Sequence, residues 1–472
     1  MKCEMYGDEK MTELGKTITL WRGLGLAICM LIGTGILALP GLALDAGNVY
    51  EAVLGWLLIS LVALPLIHIC ARLGLKFPST SGLALYAEEA VGSWGGYAVS
   101  YLVAGSFLFG LPAVSLVGAE YVRQLIPLSA LGVALFAILL IILMTLSNLA
   151  GIRAVSLINY AALAVLFLLL SLLVLFNLNF LSAGLEIALE ALKVIVNGSA
   201  GVSVGMGVDA GAGMGASVDP KHLWAIAALL FWAFLGWENL SFSLGEIKDP
   251  EKNVPRLYWL SFVLVTSIYL LLAFISAGAK AAGVPLQGAA GLSGLVRFTP
   301  GGDLLVWFMV IVVAANACSW NFTASRLLFS GGRTGIFPAS LGKLSVRGIP
   351  VPALGVLFVS SFALVLAAYV FKISVSDLIL LVNQNFVFLY AFIILAYWKT
   401  ETGWQKWVFS ALSLTSLAFL VSGFTWEIIY PIFLIGLGYY RWNISEKEKL
   451  LEKEKQYVLS SDESELLAGL QH

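Results

Sequence analysis

The chain has 472 residues, of which 60% are hydrophobic and only 12% charged, with a formal net charge of −1 and a mean hydropathy of +0.93. A soluble domain carries about 25% charged residues, so a soluble enzyme or binding module is excluded as the main architecture, and without a basic domain there is no electrostatic footprint for nucleic acid. Three of the four cysteines, Cys29, Cys70 and Cys318, lie in apolar stretches and the fourth is Cys3, a pattern that gives neither a disulfide framework nor a His/Cys metal site, and no cofactor motif is present.

A membrane span needs about 20 apolar residues. Twelve segments meet this, at roughly 18–43, 52–73, 95–119, 127–147, 155–178, 222–246, 257–279, 302–327, 350–370, 376–397, 405–422 and 424–441. The first follows Lys10, Lys16 and Arg22, as a signal peptide would, but it is too long for an h-region and contains Pro40, so it is expected to be retained. The last two are read as separate spans joined by a tight outside turn at Gly423 and Glu427. Residues 1–17 form a polar N-terminus, 18–442 the membrane domain, and 443–472 a charged tail read as solvated and partly disordered, with a short charged helix as the alternative. Placing both termini in the cytoplasm leaves all but six basic residues (Arg123, Lys193, Lys221, Lys280, Arg297 and Lys372) on the inner side, as the positive-inside rule asks of a multi-pass protein of the cell membrane.

Between about 180 and 221 the chain is read as one long outside segment. Its part from 197 to 217 contains seven glycines, a density that suits a flexible linker. Asn197-Gly198-Ser199 is a glycosylation sequon by pattern, and Gly205–Gly211 only superficially resembles a phosphate loop, because no strand precedes it.

Two spans carry glycine-centred interruptions near mid-span. The first reads LAICMLIGTGILALPG (26–41) and the sixth LLFWAFLGWENLSFSLG (229–245). Glycine releases backbone groups from the helical ladder, and in hydrocarbon such groups persist only where protein or a wet cavity satisfies them. Matched interruptions in corresponding spans point to a substrate site between two repeats. Spans 1–5 (about 18–178) and 6–10 (about 222–397) each begin with the interrupted one, and five is odd, so the second set is inverted; the pair at about 405–441 lies outside the repeat. The fold class is therefore all-α and polytopic, with twelve spans in a 5+5 inverted repeat and breaks in spans 1 and 6.

At Gly33-Thr34-Gly35 a second half-helix is expected to begin near Ile36, presenting free N–H groups and a positive dipole end to an anion such as an amino acid carboxylate. The outer half of span 6 is expected to end near Leu235-Gly236, where free carbonyls suit an ammonium group. Glu238, just past that break, is the one charged side chain deep within a span. It reads either as a gate or proton-coupling group or as a carboxylate that only caps the broken helix; the first is preferred because ionisable groups in hydrocarbon are costly and functional by default. Trp232 and Phe234 flank the break, and Trp232, one turn before it, is placed to cover a ligand. No other charge lines the bundle, which favours a neutral, apolar cargo. His68 reads as a proton relay or as a hydrogen-bonded interfacial histidine. Asn316, Ser319, Asn321 and Thr323 in span 8 read as polar glue between helices, with cavity lining or sodium coordination as the alternative. A channel would need a continuous polar stripe, and a non-transporting sensor an output domain; neither is seen.

The stretches IGTGILALPG, FPSTSG (77–82), FGLPA (109–113), FWAFLGWE (231–238), KDPEKNVPR (248–256) and IPVPAL (349–354) resemble the amino acid–polyamine–organocation superfamily and, within it, are most similar to bacterial exporters of L-methionine and branched-chain amino acids. The resemblance implies a leucine-transporter-type fold working by alternating access, driven by a proton or a counter-substrate. It implies that Gly33, Thr34 and Gly35 meet the substrate's backbone groups, that Trp232 and Leu235 lie against it, and that Glu238 gates it; Ile36, Phe234 and Gly236, beside the breaks, complete the expected binding set. The span 5 lysine of one proton-coupled branch has no match here.

Overall fold

The computed structural model describes residues 18–77, 82–196, 218–238, 240–241, 244, 247–297, 299, 301–424 and 426–469. The N-terminus, the glycine-rich segment with its sequon and phosphate-loop lookalike, and Cys3 lie outside the described residues. Among the described residues the regular structure is helical, apart from one isolated parallel bridge between Ile18 and Ile247. In order the helices are α1 (Leu20–Leu31), α2 (Thr34–Ala46), α3 (Val49–Lys76), α4 (Gly82–Val91), α5 (Ser93–Arg123), α6 (Ala130–Leu149), α7 (Ile152–Asn177), α8 (Leu181–Val196), α9 (Pro220–Leu230), α10 (Pro250–Ala281), α11 (Ser293–Arg297), α12 (Gly302–Arg333), α13 (Val351–Phe371), α14 (Val375–Thr400), α15 (Gly403–Ser422) and α16 (Ile429–Gly469).

Among the described residues, eight helical runs are long and apolar enough to cross a membrane, the run 153–196 through α7 and α8 counting as one. α15 and the start of α16 pass the same test only as a pair, bent by 118°. The first and sixth expected spans are instead short helices, α2 and the stretch Pro220–Phe234, because the chain leaves the helical path inside each.

α5 is the axis of the bundle, packed against α12, α14, α16, α4 and α6. Its apolar window is 83% buried, against 28% for α13. The outer face of α6 shows the reason for the difference: Leu131, Leu135, Leu139 and Leu143, four residues apart, are each more than 40% exposed and form a single lipid-facing stripe. Helix starts follow local rules. Asn48 caps α3 through the N–H groups of Tyr50 and Glu51, while the Glu51 carboxylate returns to the Asn48 N–H, a capping box. Pro220 and Pro250 open α9 and α10, where the missing N–H has no ladder partner to lose. Glu51, 2% exposed, also accepts the Asp219 N–H at 2.9 Å and so joins the starts of α3 and α9.

Three expectations need correction. The segment from 180 to 221 is not one loop: a single tight turn at Leu178–Phe180 leads into α8, which packs on α10 and α3. Contact there is backbone on backbone, since a Cβ on Gly184 would lie 1.9 Å from the Phe274 carbonyl oxygen. The tail is helical, because α16 continues without a break to Gly469. In the inner half of span 6 none of the described residues is in an α-helix. Its described residues instead make three-residue turns, Leu240 N–H to the Trp237 carbonyl, Ser241 N–H to that of Glu238 and Ile247 N–H to that of Leu244.

Candidate functional site

α1 stops at Leu31 because Ile32 is extended (φ −88°, ψ 97°) and Gly33 does not return to helical angles (φ −140°, ψ −136°); α2 starts at Thr34. The interruption lies one to two residues before the expected one, so Thr34 and Gly35 belong to the first turn of α2. Tyrosine hydroxyls brace both halves: Tyr269 on α10 donates to the Leu31 carbonyl at 2.9 Å and Tyr121 on α5 to the Leu37 carbonyl at 2.8 Å. Each satisfies a main-chain acceptor in the bundle interior, where water cannot.

In span 6, α9 tightens into the turn Phe231–Phe234, Leu235 is extended (ψ 139°), and Gly236 sits at φ +129°, a region that glycine alone occupies readily. Two carbonyls at the end of α9, those of Ala228 and Leu229, accept from Asn383 Nδ2 of α14 at 2.8 and 3.1 Å. The carbonyls freed at the end of α9 are therefore partly satisfied by a carboxamide, before the Leu235–Gly236 turn where free acceptors were expected. Glu238 is fully buried. Its Oε1 accepts the Gly236 N–H at 2.8 Å and its Oε2 accepts the Tyr390 hydroxyl of α14 at 2.9 Å. The carboxylate thus holds the sharp turn at Gly236 from inside.

The two breaks touch. A Cβ on Gly35 would lie 3.0 Å from Trp232 Cδ1 and 3.5 Å from the Ala233 Cα. Trp232 lies flat on Trp320 of α12, with ring centroids 5.3 Å apart and planes 10° from parallel. Gly110 of α5 backs this pair, since a Cβ there would meet Trp320 Cζ3 at 2.7 Å and Trp232 Cη2 at 3.7 Å. Above Gly33, Asn316 of α12 reaches Thr34: its Oδ1 accepts the Thr34 hydroxyl at 2.8 Å and the Thr34 N–H at 3.4 Å. Ile36 and Leu235 are buried beside these groups. Phe234 turns the other way, against Trp237 and Tyr269. The surface pockets of about 470 Å³ beside Trp259 and about 320 Å³ beside Phe180 border neither break; the space between the breaks is filled by Trp232, Trp320 and Asn316.

The geometry thus gathers Gly33, Thr34, Gly35 and Trp232 at one point, with Leu235, Gly236 and Glu238 at the neighbouring turn. Sequence reasoning missed Trp320, Gly110, Tyr390 and Asn383. A signal existed for two of them: Trp320 follows Asn316 by one helical turn, and Asn383-Gln384-Asn385 is a run of three carboxamides in an otherwise apolar span. The other polar residues of α12 divide. Ser319 donates to Asn159 of α7 at 2.8 Å and Thr323 to its own helix, as interhelical and local glue. Asn321 is buried with no partner for either amide atom. His68 is neither hydrogen-bonded nor part of the cluster at the breaks: its ring stacks on Phe409 at 3.6 Å and its Nε2 has no partner. Arg72, one turn on, holds Glu401 through two bonds of 3.1 and 3.0 Å.

Residues 18–441 match the model of the amino acid permease family. The chain is 25% identical over 451 residues to the uncharacterized amino acid permease YecA of Bacillus subtilis, covering 91% of this chain and 96% of that one. It is 26% identical over 447 residues to the L-methionine/branched-chain amino acid exporter YjeH of Escherichia coli, covering 94% and 99%. It is also 27% identical over 359 residues to the human large neutral amino acids transporter small subunit 2, covering 72% and 62%. A transporter rather than an enzyme is what these helices build, and the chain belongs to the amino acid permease family.

Proposed function

We propose that this permease is a secondary transporter of neutral, apolar amino acids, methionine and the branched-chain residues among them, and that it moves them outward across the cell membrane by alternating access, driven by the proton gradient or by exchange. In this reading the chain crosses twelve times in a 5+5 inverted repeat with both termini inside, and α1/α2 and α9 with its following turn are the broken first and sixth crossings. The carboxylate docks on the first-turn N–H groups of α2, at Thr34, Gly35 and Ile36, where aligned peptide dipoles favour negative charge. The ammonium faces carbonyls left at the end of α1 and at the Leu235–Gly236 turn. Trp232, with Leu235 beside it, meets the side chain. A charged side chain would find no opposite charge among these residues, which supports an apolar cargo.

The single observation that carries the reading is the direct approach of the two breaks, Gly35 against Trp232 at 3.0 Å from an added Cβ. The printed names of the bacterial exporter and the human large neutral transporter agree with the cargo class. Glu238 is the gate or coupling group: taking up a proton would weaken its acceptance of the Gly236 N–H and loosen the turn. Proteoliposomes with labelled L-leucine and L-methionine, and gradients imposed in each sense, test cargo and direction together. Movement of neither above background sinks the cargo. Glu238→Gln is expected to slow transport roughly tenfold, about 1.4 kcal/mol of barrier, and to flatten its pH profile; an unchanged rate and profile would remove Glu238 from coupling.

A further inference from the structure

We infer that Asn316 is the permease's internal stand-in for the substrate carboxylate, a side chain that occupies the first turn of α2 when no amino acid is there and must leave before one can bind. The inference rests on the reading of that turn as the carboxylate seat. An sp² oxygen, Asn316 Oδ1, already takes the Thr34 hydroxyl at 2.8 Å and approaches the Thr34 N–H at 3.4 Å, the contacts a carboxylate oxygen would make. Gly33 is what lets it in. A Cβ at that position would sit 2.4 Å from Asn316 Nδ2 and 2.8 Å from its Cγ, so the carboxamide rests where any other residue would put its side chain. The same helix fills the other half of the site: Trp320, four residues on, lies over Trp232. α12 therefore closes the space between the breaks with a neutral polar group over the anion seat and an aromatic ring over the apolar one.

Charge decides which occupant prevails. A carboxamide presents one partial negative oxygen. A carboxylate brings a full charge to the positive end of the 13-residue α2 and makes charge-assisted hydrogen bonds of about twice the strength. An amino acid can thus displace Asn316, whereas an amine of the same shape without a carboxylate gains nothing by doing so. Asn316 becomes a specificity-determining residue: it sets a threshold that only carboxylate-bearing ligands pass.

The test is thermal-shift titration of the purified full-length protein with L-leucine and with 3-methylbutylamine, which is leucine without its carboxyl group. Asn316→Ala removes the competitor and is expected to tighten L-leucine binding about 3- to 10-fold, the yield of one or two modest hydrogen bonds, and to raise the weaker binding of the amine by a comparable factor. Asn316→Ser is expected to shift both in the same direction. Asn316→Asp, nearly isosteric, places a permanent anion in the seat and is expected to weaken L-leucine binding at least tenfold at neutral pH. Unchanged or weaker leucine binding by the Ala and Ser variants, or wild-type affinity in the Asp variant, overturns the inference and makes Asn316 either interhelical glue or a direct substrate ligand. Should wild type itself bind neither leucine nor methionine, the cargo reading falls and this inference with it; wild-type binding with unmoved variants removes this inference alone.

Discussion

Gly110 matters for what it lacks. Its bare Cα lets Trp320 and Trp232 lie flat between α5 and α2, and a single methyl group would press on the Trp320 ring at 2.7 Å. Overpacking of this kind costs about 1–3 kcal/mol. Because the pair must rearrange for cargo to reach Gly35, Gly110→Ala is expected to lower the melting temperature and to slow L-leucine transport by roughly tenfold per folded protein; a normal rate in proteoliposomes would mean that the indole pair does not move during the cycle. Much of this site was legible before the coordinates. Gly33-Thr34-Gly35 and Glu238 stand out because flexible backbone and buried charge are rare in hydrocarbon. Trp320 is one of 14 tryptophans; its spacing from Asn316 puts the two on one face of α12, but which way that face turns depends on the rotation of α12 about its axis, which a chain of apolar residues does not encode. Asn316 was read as glue for the same reason: its residue type was visible and its direction was not.

Among the elements, α8 is where hydropathy misled. Glu186, Glu190 and Lys193 give the segment after the fifth span the polarity of a loop. Yet Gly184, Ala188 and Ala191 are its buried face, a stripe of small residues at helical spacing that lets two helices meet at their backbones, as in membrane interfaces generally. The stripe was there to be read; the search for long apolar runs passed over it. Gly278 of α10 answers from the other side, with a would-be Cβ 2.1 Å from the Phe180 carbonyl oxygen. Gly184→Leu is expected to force α8 off α10, destabilise the protein by about 1–3 kcal/mol and lower its melting temperature in detergent, with transport by the folded fraction less affected. An unshifted melting curve would show that α8 is dispensable to the bundle. At the span 6 break the decisive residue is Gly236: at φ +129° and pinned by the Glu238 carboxylate, it turns the chain where a helix was expected to restart.

Across the whole molecule, two ties link segments assigned to the inner face by the basic-residue count. One is the bridge of Ile18 and Ile247, with Lys248 N–H on the Ile18 carbonyl at 2.9 Å. The other joins the end of α3 to the corner of α14 and α15, where Arg72 and Lys76 hold Glu401 at 3.0 and 3.4 Å and Lys76 also reaches the Thr400 carbonyl. Burial pushes the Glu401 carboxyl upward, but the Arg72 and Thr402 hydrogen bonds and the charges of Arg72 and Lys76 outweigh it and leave the group below its ordinary value of 4.5. A lowered carboxylate contributes stability above its unfolded pKa and loses it as pH falls through the folded one. Acidification below about 4.5 is therefore expected to lower the melting temperature of wild type more than that of Glu401→Gln, which lacks the tie at every pH; equal acid sensitivity would mean that the corner bears no load. The parallel indoles of Trp232 and Trp320 lead somewhere else. Two indoles stacked 5.3 Å apart are close enough for their strong far-ultraviolet transitions to couple, so their relative placement is expected to contribute to the far-ultraviolet circular dichroism of the chain. If cargo parts the rings, as the proposed site requires, that contribution is expected to change on adding L-leucine, which would give the native chain an optical signature of occupancy with no label attached.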